Sequence, residues 1–140
     1  MSLSNTGQSS QTTFEEFWDK KGKHAYLERR VDLAHVRGLN KGKALVFPAQ
    51  GNDYFLTTGG LTTYAEVKSC SSKTSFPFSQ IEKAQWACAT RVTASKGLYV
   101  FYVHSVHFNR WYAVPAKLIL DCSKKSLTWD ELEPHRWFVT

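Results

Sequence analysis

Two carboxylates and an ammonium, Asp53, Glu66 and Lys68, are the residues of this chain whose types and spacing best suit chemistry. They lie in the stretch NDYFLTTGGLTTYAEVKSC, residues 52–70. Glu66 and Lys68 are two apart in a run of β-type residues. On a strand they share one face, and Ala65 and Val67 take the other. Gly59-Gly60 stands between two β-rich runs and signals a two-residue hairpin turn. With those glycines as the turn, counting back along both strands sets Asp53 opposite Glu66. Facing residues of an antiparallel pair have Cβ atoms about 4.5–5.5 Å apart. Two carboxylates that close repel, so one takes up a proton or the pair holds a cation. Hard cations such as Mg²⁺ accept one or two carboxylates, waters and a substrate phosphate. The metal lowers the pKa of a bound water and offsets charge on the phosphate. A neighbouring lysine holds the attacking water and stabilises the transition state. The Val67 peptide carbonyl is placed to be a further oxygen ligand. These are the parts for metal-dependent hydrolysis of a phosphodiester. The plain alternative is a solvated Glu–Lys pair on an exposed strand face, worth little. A one-residue slip of register would also separate the two acids.

The elements that must position these groups follow from the flanking pattern. Phe14, Phe17 and Trp18 have i, i+3, i+4 spacing, which predicts a short amphipathic helix over 13–21 that Gly22 ends. Residues 24–36 alternate loosely and hold one strand or two. A basic turn (37–43) and a short strand (44–47) lead to the hairpin. Beyond it the period turns helical. Ser79 followed by Glu82 reads as a capping box, and Ile81, Ala84, Cys88 and Val92 form the apolar stripe of a helix over 80–94. Gln85 interrupts that stripe, either as a satisfied core amide or as a group facing the acids. GLYVFYVHSV (97–106) is nearly all apolar, as a central strand is, and WYAV (111–114) pairs back onto it through HFNR. A short helix or strand at 116–120 and a C-terminal turn or short helix complete an α/β (α+β) domain with one mixed sheet.

The bulk composition is compatible with this. The chain has 140 residues, 42% hydrophobic and 14% aromatic, with net charge +6 and pI about 9.3. That length suits one domain, here 13–140, with residues 1–12 expected as a disordered polar tail. The positive charge suits a polyanion such as nucleic acid. No apolar run reaches the ~20 residues of a membrane span, and no secretory signal opens the chain. Cys70, Cys88 and Cys122 make no CxxC pair, so neither a zinc ribbon nor a disulfide framework is expected, and a cytoplasmic setting fits. His104 and His107 would face opposite sides of a strand, which argues against a shared zinc. Trp111 and Tyr112 are read as core residues before base-stacking ones. No phosphate-binding glycine loop occurs.

The ordered set Asp53-Tyr54, Glu66-Val67-Lys68, Lys73-Thr74-Ser75-Phe76-Pro77-Phe78 and Gln85 resembles the PD-(D/E)XK nuclease superfamily. Within it, the set is most similar to the RecU-type Holliday junction resolvases, also called penicillin-binding protein-related factor A. The likeness extends over about residues 13–120. It implies a restriction-endonuclease-like core, a central mixed β-sheet flanked by helices. It implies a Mg²⁺-dependent endodeoxyribonuclease, with Mn²⁺ able to substitute, acting on branched DNA as a homodimer. By the same resemblance Asp53, Glu66 and the Val67 carbonyl hold the metal, Lys68 activates water, Gln85 orients the site and a first-helix glutamate assists. Glu15 matches that glutamate and flanks the apolar helix face more closely than Glu16. Arg29, Arg30, Arg37, Lys41, Lys43, Lys73 and Thr74 are the candidate phosphate contacts. Two features depart from the family pattern: Asn52 stands where the superfamily name has proline, and the segment before Asp53 is shorter than the resolvases' projecting stalk. Two other readings stay open: a nicking, repair or restriction-like endonuclease on the same fold, and a DNA-binding module without catalysis.

Overall fold

The computed structural model describes residues 3–30 and 50–139. Its centre is a six-stranded mixed sheet in the order β1-β2-β3-β5-β6-β8. The strands are β1 (Ala25–Arg29), β2 (Tyr54–Thr58), β3 (Leu61–Cys70), β5 (Tyr99–Ser105), β6 (Arg110–Pro115) and β8 (Arg136–Trp137). All neighbours are antiparallel except β3 and β5, which run parallel and need a crossover. Helix α2 (Lys83–Ala94) lies in that crossover. Two short strands, β4 (Ser75–Pro77) and β7 (Ser126–Thr128), form a separate antiparallel pair. Short helices α3 (Ala116–Leu120) and α4 (Trp129–Leu132) follow β6 and β7.

The hairpin has the predicted register. Gly59 and Gly60 take φ of +59° and +81°, the left-handed backbone that a tight two-residue turn demands and glycine adopts without strain. Thr58 faces Leu61 and Tyr54 faces Ala65. The 97–106 run forms β5, sheltered between β3 and β6, and is apolar because both its faces are covered.

One sheet face buries Tyr54, Leu56, Ala65, Val67, Tyr102 and Trp111 beneath Phe14 of α1 (Leu3–Asp19). Phe14 is fully buried, with ring centroids 5.1 Å from Tyr54 and 4.8 Å from Tyr102. The other face buries Tyr99, Phe101, Val103, Tyr112 and Val114 with Ala89 of α2 and Ile119 of α3. Trp111 and Tyr112 are thus core residues, as read from sequence.

Two boundaries differ from expectation. Helix α1 spans Leu3–Asp19 rather than 13–21, so most of the stretch expected as a disordered tail is helical. Polar contacts hold it where apolar spacing gave no signal. Ser10 is 1% exposed, its hydroxyl lies 2.8 Å from His104 Nδ1, and Ser69 Oγ donates to it at 2.6 Å. Helix α2 begins at Lys83 rather than near 80, after a 3₁₀ turn at Phe78–Gln80. Its N-terminal box joins Glu82 and Gln85 instead of Ser79 and Glu82, and Ile81 is buried from just outside the helix.

Candidate active site

Strand β2 stops at Tyr54 while β3 continues to Cys70. Pairing with β2 ends at Ala65, and this leaves the second half of β3 without a strand partner along one edge. Tyr64 N–H donates to Leu98 O and Cys70 O accepts from Val106 N–H, so the even-numbered peptides of β3 point toward β5. The odd-numbered peptides therefore point toward the vacated edge. The Val67 carbonyl is one of them. The next, at Ser69, accepts a hydrogen bond from Gln80 Nε2 at 3.1 Å.

Asp53 sits at the mouth of this notch, one step beyond the last β2 pair. Its backbone N–H donates to Glu66 Oε2 at 2.9 Å, which fixes the expected opposition of the two acids. Glu66 is 2% exposed. Burial pushes its carboxyl up to about 9, and the Asp53 carboxylate adds to the rise while Lys68 works against it. A carboxylate buried beside another lacks positive charge. The donor set of two acids and a peptide carbonyl has the oxygen chemistry of a hard divalent cation. Among the described residues no group of three or more His, Cys, Asp or Glu side chains is placed to hold a metal. Asp53, Glu66 and the Val67 carbonyl would hold one cation, with further positions left to water and phosphate.

Gln85 faces the acids. It is 6% exposed, and its Nε2 donates to Glu66 Oε1 at 2.9 Å. Its Oε1 accepts the Glu82 backbone N–H at 3.0 Å. One amide thus caps α2 and clamps the carboxylate, a buried polar group with both ends satisfied. Lys68 is half-buried on the same strand face as Glu66.

Glu15 and Glu16 divide as the helical wheel suggests. Glu16 is exposed, whereas Glu15 is partly buried with an oxygen 3.6 Å from Arg29 Nη1. Glu15 lies on the α1 face, beside the buried Tyr54 hydroxyl. It is not gathered with Asp53 and Glu66 into a three-acid cluster. Arg29 is engaged by Glu15. Arg30 donates from Nη1 to Asn52 Oδ1 at 3.1 Å and from its backbone N–H to Asp53 O at 2.8 Å. Lys73 and Thr74 are exposed in the turn after β3. Arg37, Lys41 and Lys43 lie outside the described residues.

Three residues support the site in roles that were not assigned to them from the sequence. Asn52 is fully buried and its Nδ2 donates to Tyr54 O at 2.8 Å, fastening the bend that carries Asp53. Tyr99 Oη donates to Gly51 O at 2.5 Å. At Gly51 itself an added Cβ would lie 2.3 Å from Cys88 Cβ, so only glycine lets this bend rest against α2. A polar Asn-Asp pair at the head of an apolar strand was the one available signal; apart from Tyr54, two residues from Asn52, the partners are distant in sequence.

A β-hairpin that sets an aspartate against a Glu-x-Lys strand, on a mixed sheet with helices on both faces, defines the PD-(D/E)XK nuclease superfamily. The solved structure of Hjc from Archaeoglobus fulgidus, a Holliday junction resolvase of an archaeal hyperthermophile, shares the fold. Its TM-score is 0.54 at 14% identity, over 93% of each chain. The family model described as Recombination protein U matches residues 40–139, and the chain belongs to that family. No curated protein matches the chain.

Proposed function

We propose that this chain is a divalent-metal-dependent endonuclease that hydrolyses phosphodiester bonds of branched DNA, in the manner of a Holliday junction resolvase. Membership of the Recombination protein U family supports the substrate class, and the fold shared with Hjc supports the architecture. The observation that carries the reading is the buried Glu66 carboxylate, opposed to Asp53 at the hairpin end, with Lys68 on the same strand face.

Asp53, Glu66 and the Val67 carbonyl would hold the cation. Mg²⁺ fits this oxygen set, and Mn²⁺ would substitute. Once bound, it supplies charge that offsets the phosphate's and acidifies a water. The chain's own groups do the remaining work. Lys68 positions the attacking water and holds negative charge as it builds on the phosphate. Gln85 keeps the Glu66 carboxylate from turning aside as a phosphate approaches. Glu15 acts from the other side of the strand end through water rather than as a direct third ligand. Arg29, Arg30, Lys73 and Thr74 neutralise phosphates flanking the cut. Paired nicks across a four-way junction need two centres, so the working form is a homodimer, acting in the cytoplasm. Among the described residues no helix is long and apolar enough to cross a membrane.

The test is cleavage of a labelled synthetic four-way junction and of its linear duplex control, in Mg²⁺ and in Mn²⁺, by wild type and Lys68→Ala. Symmetric nicks in the junction alone, abolished by Lys68→Ala, are expected. Equal cutting of both DNAs would keep the nuclease and discard the junction preference. Binding without any cutting by wild type would leave a DNA-binding module.

A further inference from the structure

On the α2 side of the sheet, between α2 and the β4–β7 pair, lies a cavity of about 560 Å³. Phe78, Ser79, Trp86, Lys124, Lys125 and Ser126 are among its lining residues. Trp86 is 37% exposed, an unusual state for the largest apolar side chain, and its ring centroid is 6.3 Å from that of Phe78. Two aromatic rings with two lysines and two hydroxyls nearby suit a flat π-system on a negatively charged strand. Lys124 is ion-paired with Glu131, so of the two lysines Lys125 is the one with no ion pair among the described residues.

The cavity is mechanically joined to the notch. Its 3₁₀ turn, Phe78–Gln80, is tied by Gln80 Nε2 to the Ser69 carbonyl, the residue after Lys68. The other end of that turn is pinned to the second wall, where Phe78 N–H donates to Lys125 O at 2.9 Å. Trp86 follows Gln85 directly on α2, and Gln85 holds Glu66. The cavity wall and the clamp on Glu66 thus share neighbouring positions on α2.

We propose that the Phe78–Trp86 cavity receives one unstacked nucleobase from the strand being cut, and so favours DNA with unpaired or weakly stacked bases at a branch. The proposal rests on the nuclease reading above and adds a second point of recognition to it. Bases at a branch cost less to swing out than those within a duplex, so the cavity selects branched over linear DNA without reading sequence. Stacking on an aromatic face tolerates any base, and its loss on alanine substitution weakens binding about tenfold.

The full chain is tested in Ca²⁺, by fluorescence anisotropy, on a four-way junction with intact bases and on one with abasic nucleotides at the branch. Wild type is expected to bind the intact junction about tenfold more tightly than the abasic one. Trp86→Phe should keep most of that preference, and Trp86→Ala should reduce it to twofold or less with an unchanged melting temperature. A tenfold preference retained by Trp86→Ala, or none in wild type, overturns the proposal. Failure of the nuclease reading shows elsewhere, as wild type that binds these DNAs but cuts none in Mg²⁺ or Mn²⁺. A parallel loss of melting temperature in Trp86→Ala shifts the decision to Trp86→Phe and to quenching of tryptophan fluorescence by the intact junction alone.

Discussion

Without a cation, the fold should lose stability as pH rises through neutrality, and Glu66 should be the cause. Its carboxyl is moved from an ordinary 4.5 to about 9, first by burial and then by Asp53. The folded value lies above the unfolded one. The stabilising difference is therefore fully present below about pH 4.5 and is lost as pH climbs toward 9. Taken at face value, a displacement from 4.5 to about 9 is worth about 6 kcal/mol. Glu66 keeps two hydrogen-bond donors when it ionises, and Asp53 is only half-buried, so water screens the pair. About a third of the full figure, roughly 2 kcal/mol, is expected. That corresponds to about 4–8 °C in melting temperature for a chain of this size. The assay is thermal unfolding in chelator between pH 5 and 9, comparing wild type with Glu66→Gln. The variant starts lower, because an amide offers one acceptor oxygen where two donors point, but its curve should lack this slope. Adding Mg²⁺ should flatten the wild-type curve, since the cation takes the proton's place between the acids. Its apparent affinity should rise over the same pH window. Parallel pH curves for wild type and Glu66→Gln in chelator would refute the buried-acid reasoning.

Other outcomes follow from single contacts. Gln85→Ala strands Glu66 Oε1 and the Glu82 N–H together, so stability should fall by about 1–3 kcal/mol and junction cleavage by at least tenfold, read by melts and single-turnover assays. Gly51→Ala should push α2 off the Asp53 bend and lower both stability and cleavage. Adding Cys88→Gly, which removes the atom 2.3 Å away, should recover part of each, whereas no recovery would mean the clash lies elsewhere. Ser10→Ala removes the shared partner of His104 and Ser69, so α1 should loosen by about 1–2 kcal/mol and limited proteolysis should accelerate in its first turns.

How much was legible depended on whether the partner lay nearby in sequence. Gly59-Gly60 fixes the hairpin by itself, so the opposition of Asp53 and Glu66 followed from counting. The apolar run of β5 announced a strand covered on both faces. Helix α1 did not announce its first half, because LSNTGQSSQTT carries almost no apolar spacing. What fastens it is Ser10, whose partners His104 and Ser69 come much later in the chain, and the stack of Trp18 on Trp137. The start of α2 was displaced because Ile81 sits in step with the helical stripe while lying outside the helix, and because the same three-residue box spacing occurs twice, at Ser79–Glu82 and Glu82–Gln85. Gln85 was visible as an interruption, but its choice of Glu66 as partner was a tertiary fact. Gly51 and Tyr99, and Asn52 in its bond to Arg30, act through contacts that no local pattern encodes.

The hairpin that opposes Asp53 to Glu66 has a consequence for how this protein is assembled and altered. The hydrogen bonds that define the notch join residues only 13 and 19 apart in sequence. Such local closure costs little chain entropy and can form early during folding. It also makes the cutting apparatus a nearly self-contained cassette running from Asn52 to Gln85. Chain inserted or exchanged between Arg30 and Gln50 would leave the turn, the register and the clamp unchanged, while α1, β1 and Arg30 stay to cover Tyr54 and hold the Asp53 bend. Substrate preference could therefore drift through exchange of the preceding segment while the hydrolytic centre stays fixed, a division of labour that lets one nuclease core serve DNAs of different shape.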